Sequence, residues 1–289
     1  MQIDSITTGR LVAGAILALF GLAALLAPEQ VGAWLGVERV SSTTSMRVVA
    51  GNNLIFGSML CWLAAKGRSA PLFSAMLLGY AALSAALLVH GANTLVGLPA
   101  SEARGYLFEA ALMALVGLLL AASLVAARAR TGETPWPLPK GVRVVACLLL
   151  AALGALNAAS GARGAFSPVE NALAGGVPYG LLWSVTLNTQ IGAGFLALGL
   201  ALLVAALRPR LGREVVLAAA LVYSKTAAVL AYATLVIAMP LQVHAATIKG
   251  AQVLAAFALV TWLLWALVWR RRVRQAHATT TATGDTHDG

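Results

Sequence analysis

Apolar runs of about 20 residues, separated by short polar breaks, recur along the whole chain. Eight occur, at about 10–27, 46–65, 70–90, 106–127, 143–160, 187–207, 214–238 and 249–269. Each is long enough to cross a hydrocarbon layer of roughly 30 Å as a helix. The pattern predicts an all-α integral membrane protein with eight transmembrane helices. The first run follows Asp4 and Arg10 and ends directly before Pro28. The acidic residue and the proline favour a retained helix over a cleaved secretory signal.

Composition narrows the class further. Of 289 residues, 60% are hydrophobic and only 10% charged, against about 25% charged in soluble domains. The net charge of +10 does not point to nucleic acid, because the arginines lie at the ends of apolar runs and not in a patch interleaved with aromatics. Fourteen of the twenty Lys and Arg residues, from Arg10 to Arg274, fall on the side of the two termini. Five (Arg39, Arg47, Arg104, Arg163 and Lys249) fall on the other side, and Lys225 lies between. This bias places both termini in the cytoplasm and predicts a bacterial inner-membrane protein. Cys61 and Cys147 sit inside apolar runs, where they read as small apolar side chains and not as a disulfide framework.

The break at 131–142, with Pro135, Pro137 and Pro139, divides the chain into four-helix sets at 1–130 and 143–274, and a polar tail follows at 275–289. The sets read as a tandem duplication. A shift of 142 carries Lys66, Arg68 and Gly57 onto Arg208, Arg210 and Gly199. A shift of 143 carries Arg47 and Glu109 onto Gln190 and Gln252, while Pro28 corresponds to Pro168 and Arg10 to Arg143. Four helices per copy require both copies to have the same orientation. The enlarged loop at 161–186 is expected to hold a short interfacial helix carrying Tyr179 and Trp183. The tail is expected to be disordered.

Few polar groups interrupt the apolar runs. Arg47 opens the second helix, and Glu109, the one carboxylate inside an apolar span, begins the fourth. A pair between them would satisfy both groups, and the second copy would replace it with Gln190 and Gln252. The alternative is a substrate or proton site. Asn52 and Asn53, with Asn188 and Gln190, either line an outward-facing pocket or bond between helices. His90 and His244 have no ligand spacing that suggests a metal. Lys225, in LVYSKTAAVL, lies near the bilayer centre, where a lysine costs about 3 kcal/mol. Its own helix offers no partner within a turn, leaving Tyr80, Asn157, Asn188 or Glu109 on other helices. It is either a functional amine or a buried polar group with no task. A retinal-type Schiff base is disfavoured by the eighth helix and by the lack of a nearby counter-ion.

RLVAGAILALFGLAALLAPEQVGAWLGV, MRVVAGNNLIFGSML and GYLFEAALMALVGLL together resemble small bacterial four-helix membrane proteins of the DoxX-like and uncharacterised kind. These show an arginine with small residues opening the second helix and an acid opening the fourth. The resemblance covers about 10–127 and returns weakly over 143–270. It implies architecture and no activity. The leading expectation is a non-enzymatic accessory or assembly protein of a membrane complex, with the bilayer and a membrane-protein partner as its contacts. The alternative is a carrier for a small or hydrophobic solute, with a cavity between the copies and Lys225 near its floor. An enzyme ranks third, since no zincin, rhomboid-like or carboxylate-rich prenyl-diphosphate spacing occurs. No cofactor is indicated.

Overall fold

Every apolar run forms a helix. The computed structural model describes residues 5–35, 43–68, 70–94, 100–127, 139–174, 182–236 and 241–284, with the backbone alone given at some of them, including 182–188 and 268–284. The elements in order are α1 (Ser5–Leu26), α2 (Pro28–Trp34), α3 (Thr43–Ala65), α4 (Pro71–Thr94), α5 (Ala100–Ala127), α6 (Lys140–Phe166), α7 (Pro168–Ala174), α8 (Leu182–Leu207), α9 (Arg213–Val236) and α10 (Leu241–Gly284). A 3₁₀ turn at Pro209–Leu211 joins α8 to α9. All but the two seven-residue helices are long and apolar enough to cross a membrane, which gives eight candidate spans. No strand occurs among the described residues.

Proline and glycine set the helix ends. Pro28, Pro71 and Pro168 open α2, α4 and α7, where the missing N–H is harmless because the first turn has no intrahelical acceptor for it. α3 stops at Gly67, whose φ of 60° is left-handed. The Arg68 N–H then reaches Leu63 O and the Gly67 N–H reaches Ala64 O, each at 2.9 Å, which satisfies the last carbonyls of the helix. Arg10 of α1 docks on this turn: its Nη1 donates to Arg68 O and its Nη2 to Ser74 Oγ, both at 3.1 Å. It is buried, whereas Arg143 is exposed, so the expected equivalence of the two arginines does not hold.

Helices pair in the same way in each half. α1 packs on α3 and α4 on α5; α6 packs on α8 and α9 on α10. Close glycine contacts make the first pairing in each half. A Cβ added to Gly57 would lie 2.5 Å from Gly14 O and against the Ala18 backbone, and one added to Gly199 would lie 2.8 Å from Gly154 O and against the Ala158 backbone. Two turns further along, a Cβ on Gly21 would meet Ala50 O at 2.5 Å, and one on Gly161 would meet Gly192 O at 2.8 Å. Such contacts bring backbones together where lipid gives no hydrophobic drive for association. The offset is 142 residues on α3 and α8, including the outer Ala50 and Gly192 contacts where the sequence suggested 143, but 140 on α1 and α6. Across the halves, α3 meets α9 and α8, and α4 meets α8.

The halves also differ. α1 packs on α5 in the first half, and α10 is the least buried of the eight spans. Two local expectations change. α6 runs on to Phe166, and the short helix after it is Pro168–Ala174. That helix carries neither Tyr179, which lies outside the described residues, nor Trp183, which falls in α8. The backbone of α10 stays helical to Gly284 where a disordered tail was expected, since no proline or glycine interrupts 251–283 and its alanine, arginine and glutamine residues favour helix.

Candidate functional site

Six of the polar residues singled out in the sequence, Arg47, Asn52, Asn53, Glu109, Gln190 and Lys225, lie where the two halves meet. Glycine and alanine at the α3, α8 and α9 contacts bring these helices close, so a polar side chain on one reaches the next. Lys225 on α9 reaches across to α3. Its Nζ donates to Asn52 Oδ1 at 2.7 Å and to Val48 O at 2.6 Å. These two acceptors are one helical turn apart, so the amine caps a single turn of α3. Gly51 makes room for the lysine stem, because a Cβ there would lie 2.6 Å from Lys225 Cδ. The sequence left Tyr80, Asn157, Asn188 and Glu109 as partners for the lysine; the structure uses Asn52 and a backbone carbonyl. Tyr80 donates instead to Asn53 Oδ1 at 2.7 Å, and Asn157 donates to Leu153 O of its own helix at 2.7 Å. The Asn188 side chain lies outside the described residues.

The proposed pairing of Arg47 with Glu109 is corrected. Glu109 Oε1 accepts a 2.6 Å hydrogen bond from Gln190 Nε2, with both residues buried. The Arg47 guanidinium sits 5.4 Å from the ring centroid of Tyr232 on α9. Gln252, the expected amide partner of Gln190, is exposed. The physical reason is the way the halves interlock. Arg47 on α3 meets Tyr232 on α9, and Glu109 on α5 meets Gln190 on α8, so each is engaged by the opposite half and not by the other. A cation over an exposed aromatic ring is worth about 0.5–1 kcal/mol, and Tyr232 is 48% exposed. Arg47→Ala is therefore expected to cost no more than about 1 kcal/mol in thermal unfolding, well below the several kcal/mol of a broken buried ion pair.

Asn52 and Asn53 are both nearly fully buried, and both bond between helices. Gly194 of α8 closes over them: a Cβ there would touch Asn52 Nδ2 at 3.5 Å and the Tyr80 ring at 3.6 Å. The result is a polar seam through an otherwise apolar bundle, made of Lys225, Asn52, Asn53, Tyr80, Glu109 and Gln190. Several buried atoms on the helices of this seam have no hydrogen-bond partner: Asn53 Nδ2, Gln190 Oε1, Ser84 Oγ and Thr226 Oγ1. Two donor–acceptor side chains, Asn53 and Gln190, thus each keep one unused valence inside the protein, a costly arrangement unless a further group uses it.

Sequence reasoning named Tyr80 but as a partner of Lys225 and not of Asn53, and it missed Val48 O and Gly51 beside the lysine and Tyr232 beneath Arg47. Of these, only Gly51, in the small-residue stretch after Arg47, carried a signal; a backbone carbonyl is indistinguishable in sequence from ordinary helix. Among the described residues, no group of three His, Cys, Asp or Glu side chains comes together as a metal site. The seam holds one carboxyl, Glu109, and one amine, Lys225, each hydrogen-bonded to a neutral partner. Comparison of the chain with protein-family models, with curated proteins and with solved structures returns no match.

Proposed function

We propose that this is a carrier for a small polar or charged solute, built from two copies of a four-helix unit with the same orientation, with the seam at Lys225 as its binding site. The repeated glycine crossings and the equivalent helix pairing in each half support the duplication. The asymmetry of basic residues supports a bacterial inner-membrane location with both ends in the cytoplasm. The observation that carries the functional reading is the position of two ionisable groups between the halves. Lys225 and Glu109 each bond across the seam to a neutral partner, beside buried polar atoms with unused valence. The two acceptors of the Lys225 amine, an amide and a backbone carbonyl, are both neutral. Such placement is characteristic of solute and ion pathways. A solute bringing an acceptor or a negative charge to Lys225 would compete with Asn52 and loosen the α3–α9 contact, a route by which occupancy would act on the packing of the halves.

The rival reading is an accessory protein of a membrane complex, in which the same hydrogen bonds only hold α9 against α3. The Nζ bonds at 2.6 and 2.7 Å favour it, since a satisfied amine needs no ligand. Lys225→Met separates the two. For a carrier, the variant folds with near-normal yield and loses its growth phenotype in complementation. For a clasp, complementation is retained and thermal stability changes by no more than the few kcal/mol by which a buried polar group differs from an apolar isostere. Full complementation by the Lys225→Met protein would overturn the carrier reading.

A further inference from the structure

Away from the seam, a groove of about 380 Å³ opens between α3, α9 and α10, lined by Ser58, Met59, Trp62, Arg68, Arg213, Glu214, Leu217, Trp262 and Trp265. We propose that this groove is a binding site for one anionic phospholipid, with the phosphate at Arg68 and Arg213 and an acyl chain along Met59, Leu217 and Trp262. The lining residues are sorted by depth. Arg68 lies in the turn after α3, and Arg213 and Glu214 open α9, so all three charges sit at the end of the bundle where the basic residues gather. Met59 is six residues inside the end of α3, about 9 Å at 1.5 Å per residue, and Leu217 is one turn inside α9. Charge at the boundary and apolar walls toward the bilayer centre match the two ends of a lipid.

The aromatic residues sharpen the match. The Arg68 guanidinium lies 5.3 Å from the ring centroid of Trp62, which holds the cation at the headgroup level, where tryptophan itself prefers to sit. Trp62 is 42% exposed, so its ring faces the groove and the lipid phase. Trp262 is turned into place by a 3.0 Å bond from Nε1 to Ser224 Oγ of α9, and it meets Trp265 edge to face at 5.7 Å between centroids. Two arginines and one glutamate leave a single net positive charge. That balance suits a phosphodiester with one negative charge; a doubly charged phosphomonoester would meet Glu214 unfavourably. A zwitterionic phosphatidylcholine offers its own cation to the arginines and gains less.

The test uses the full-length protein in detergent, with thermal unfolding and native mass spectrometry in the presence of phosphatidylglycerol or phosphatidylcholine. Phosphatidylglycerol is expected to raise the melting temperature and to remain bound at one equivalent, whereas phosphatidylcholine does neither at the same concentration. Arg68→Gln keeps the backbone carbonyl that Arg10 uses and is expected to weaken phosphatidylglycerol retention about fivefold, the effect of one arginine near a charged lipid surface. Leu217→Trp fills the groove and is expected to remove the retained lipid without changing the headgroup charges. Equal stabilisation of the wild-type protein by the two lipids would overturn the proposal whether or not the variants fold. Unchanged retention in a folded Arg68→Gln protein would overturn the assignment of the phosphate.

Discussion

Gly57→Ile and Gly199→Ile are each expected to abolish recovery of folded protein from detergent-solubilised membranes. At both positions even a methyl group would press on the backbone of the facing helix, below 3.0 Å from Gly14 O and Gly154 O respectively. Backbone cannot rotate aside as a side chain can, so α1 would have to leave α3, and α6 would have to leave α8. Overpacking against movable side chains already costs about 1–3 kcal/mol, and separating two membrane helices removes their van der Waals contact along the whole crossing. Gly79→Ala supplies the control. Nothing lies within 4 Å of a Cβ at Gly79, so the change should be neutral, or stabilising by up to about 1 kcal/mol through the unfolded chain. Thermal aggregation curves of the three variants check this, and a well-folded Gly199→Ile protein would refute the close crossing of α6 and α8.

The second large effect concerns Glu109 and Gln190. Gln190→Leu removes the donor from a buried carboxyl and is expected to cost about 1–3 kcal/mol, the penalty of leaving a buried acceptor unsatisfied. Glu109→Gln keeps an acceptor at the same place and is expected to cost less than about 1.5 kcal/mol, the net worth of an ordinary hydrogen bond. The double change Glu109→Met with Gln190→Leu should recover much of the loss from Gln190→Leu alone, because neither partner is then left unsatisfied. A double-mutant cycle on thermal stability reads the coupling. Simple additivity would show that the 2.6 Å contact contributes no interaction energy. The same experiment with Arg47→Ala in place of Gln190→Leu should give no coupling to Glu109, which separates the observed pairing from the one the sequence suggested.

These two predictions differ in how visible their basis is before folding. Gly57 and Gly199 could be matched from the sequence, because they fall 142 residues apart, the same shift that relates Lys66 and Arg68 to Arg208 and Arg210. Their contact atoms could not, since the first helices align at a different offset from the third. Glu109 was singled out as a buried acid needing a partner, and Arg47 as a cation needing one. The partner assignment failed because it considered each four-helix set alone.

The sequence by itself determined the number of candidate spans and their approximate limits. Hydrophobic length, proline placement and charge asymmetry act locally, and each is written in consecutive residues. Only the tertiary structure decided which polar group meets which. α3 crosses to α9, so Lys225 reaches Asn52 and Val48 O and Arg47 rests over Tyr232, while Glu109 on α5 reaches Gln190 on α8. Polar contacts inside a membrane protein are set by helix rotation and by which backbones approach closely. A shift of one residue on a helix turns a side chain by about 100°, and the sequence pattern is too nearly uniform around these apolar helices to fix that angle.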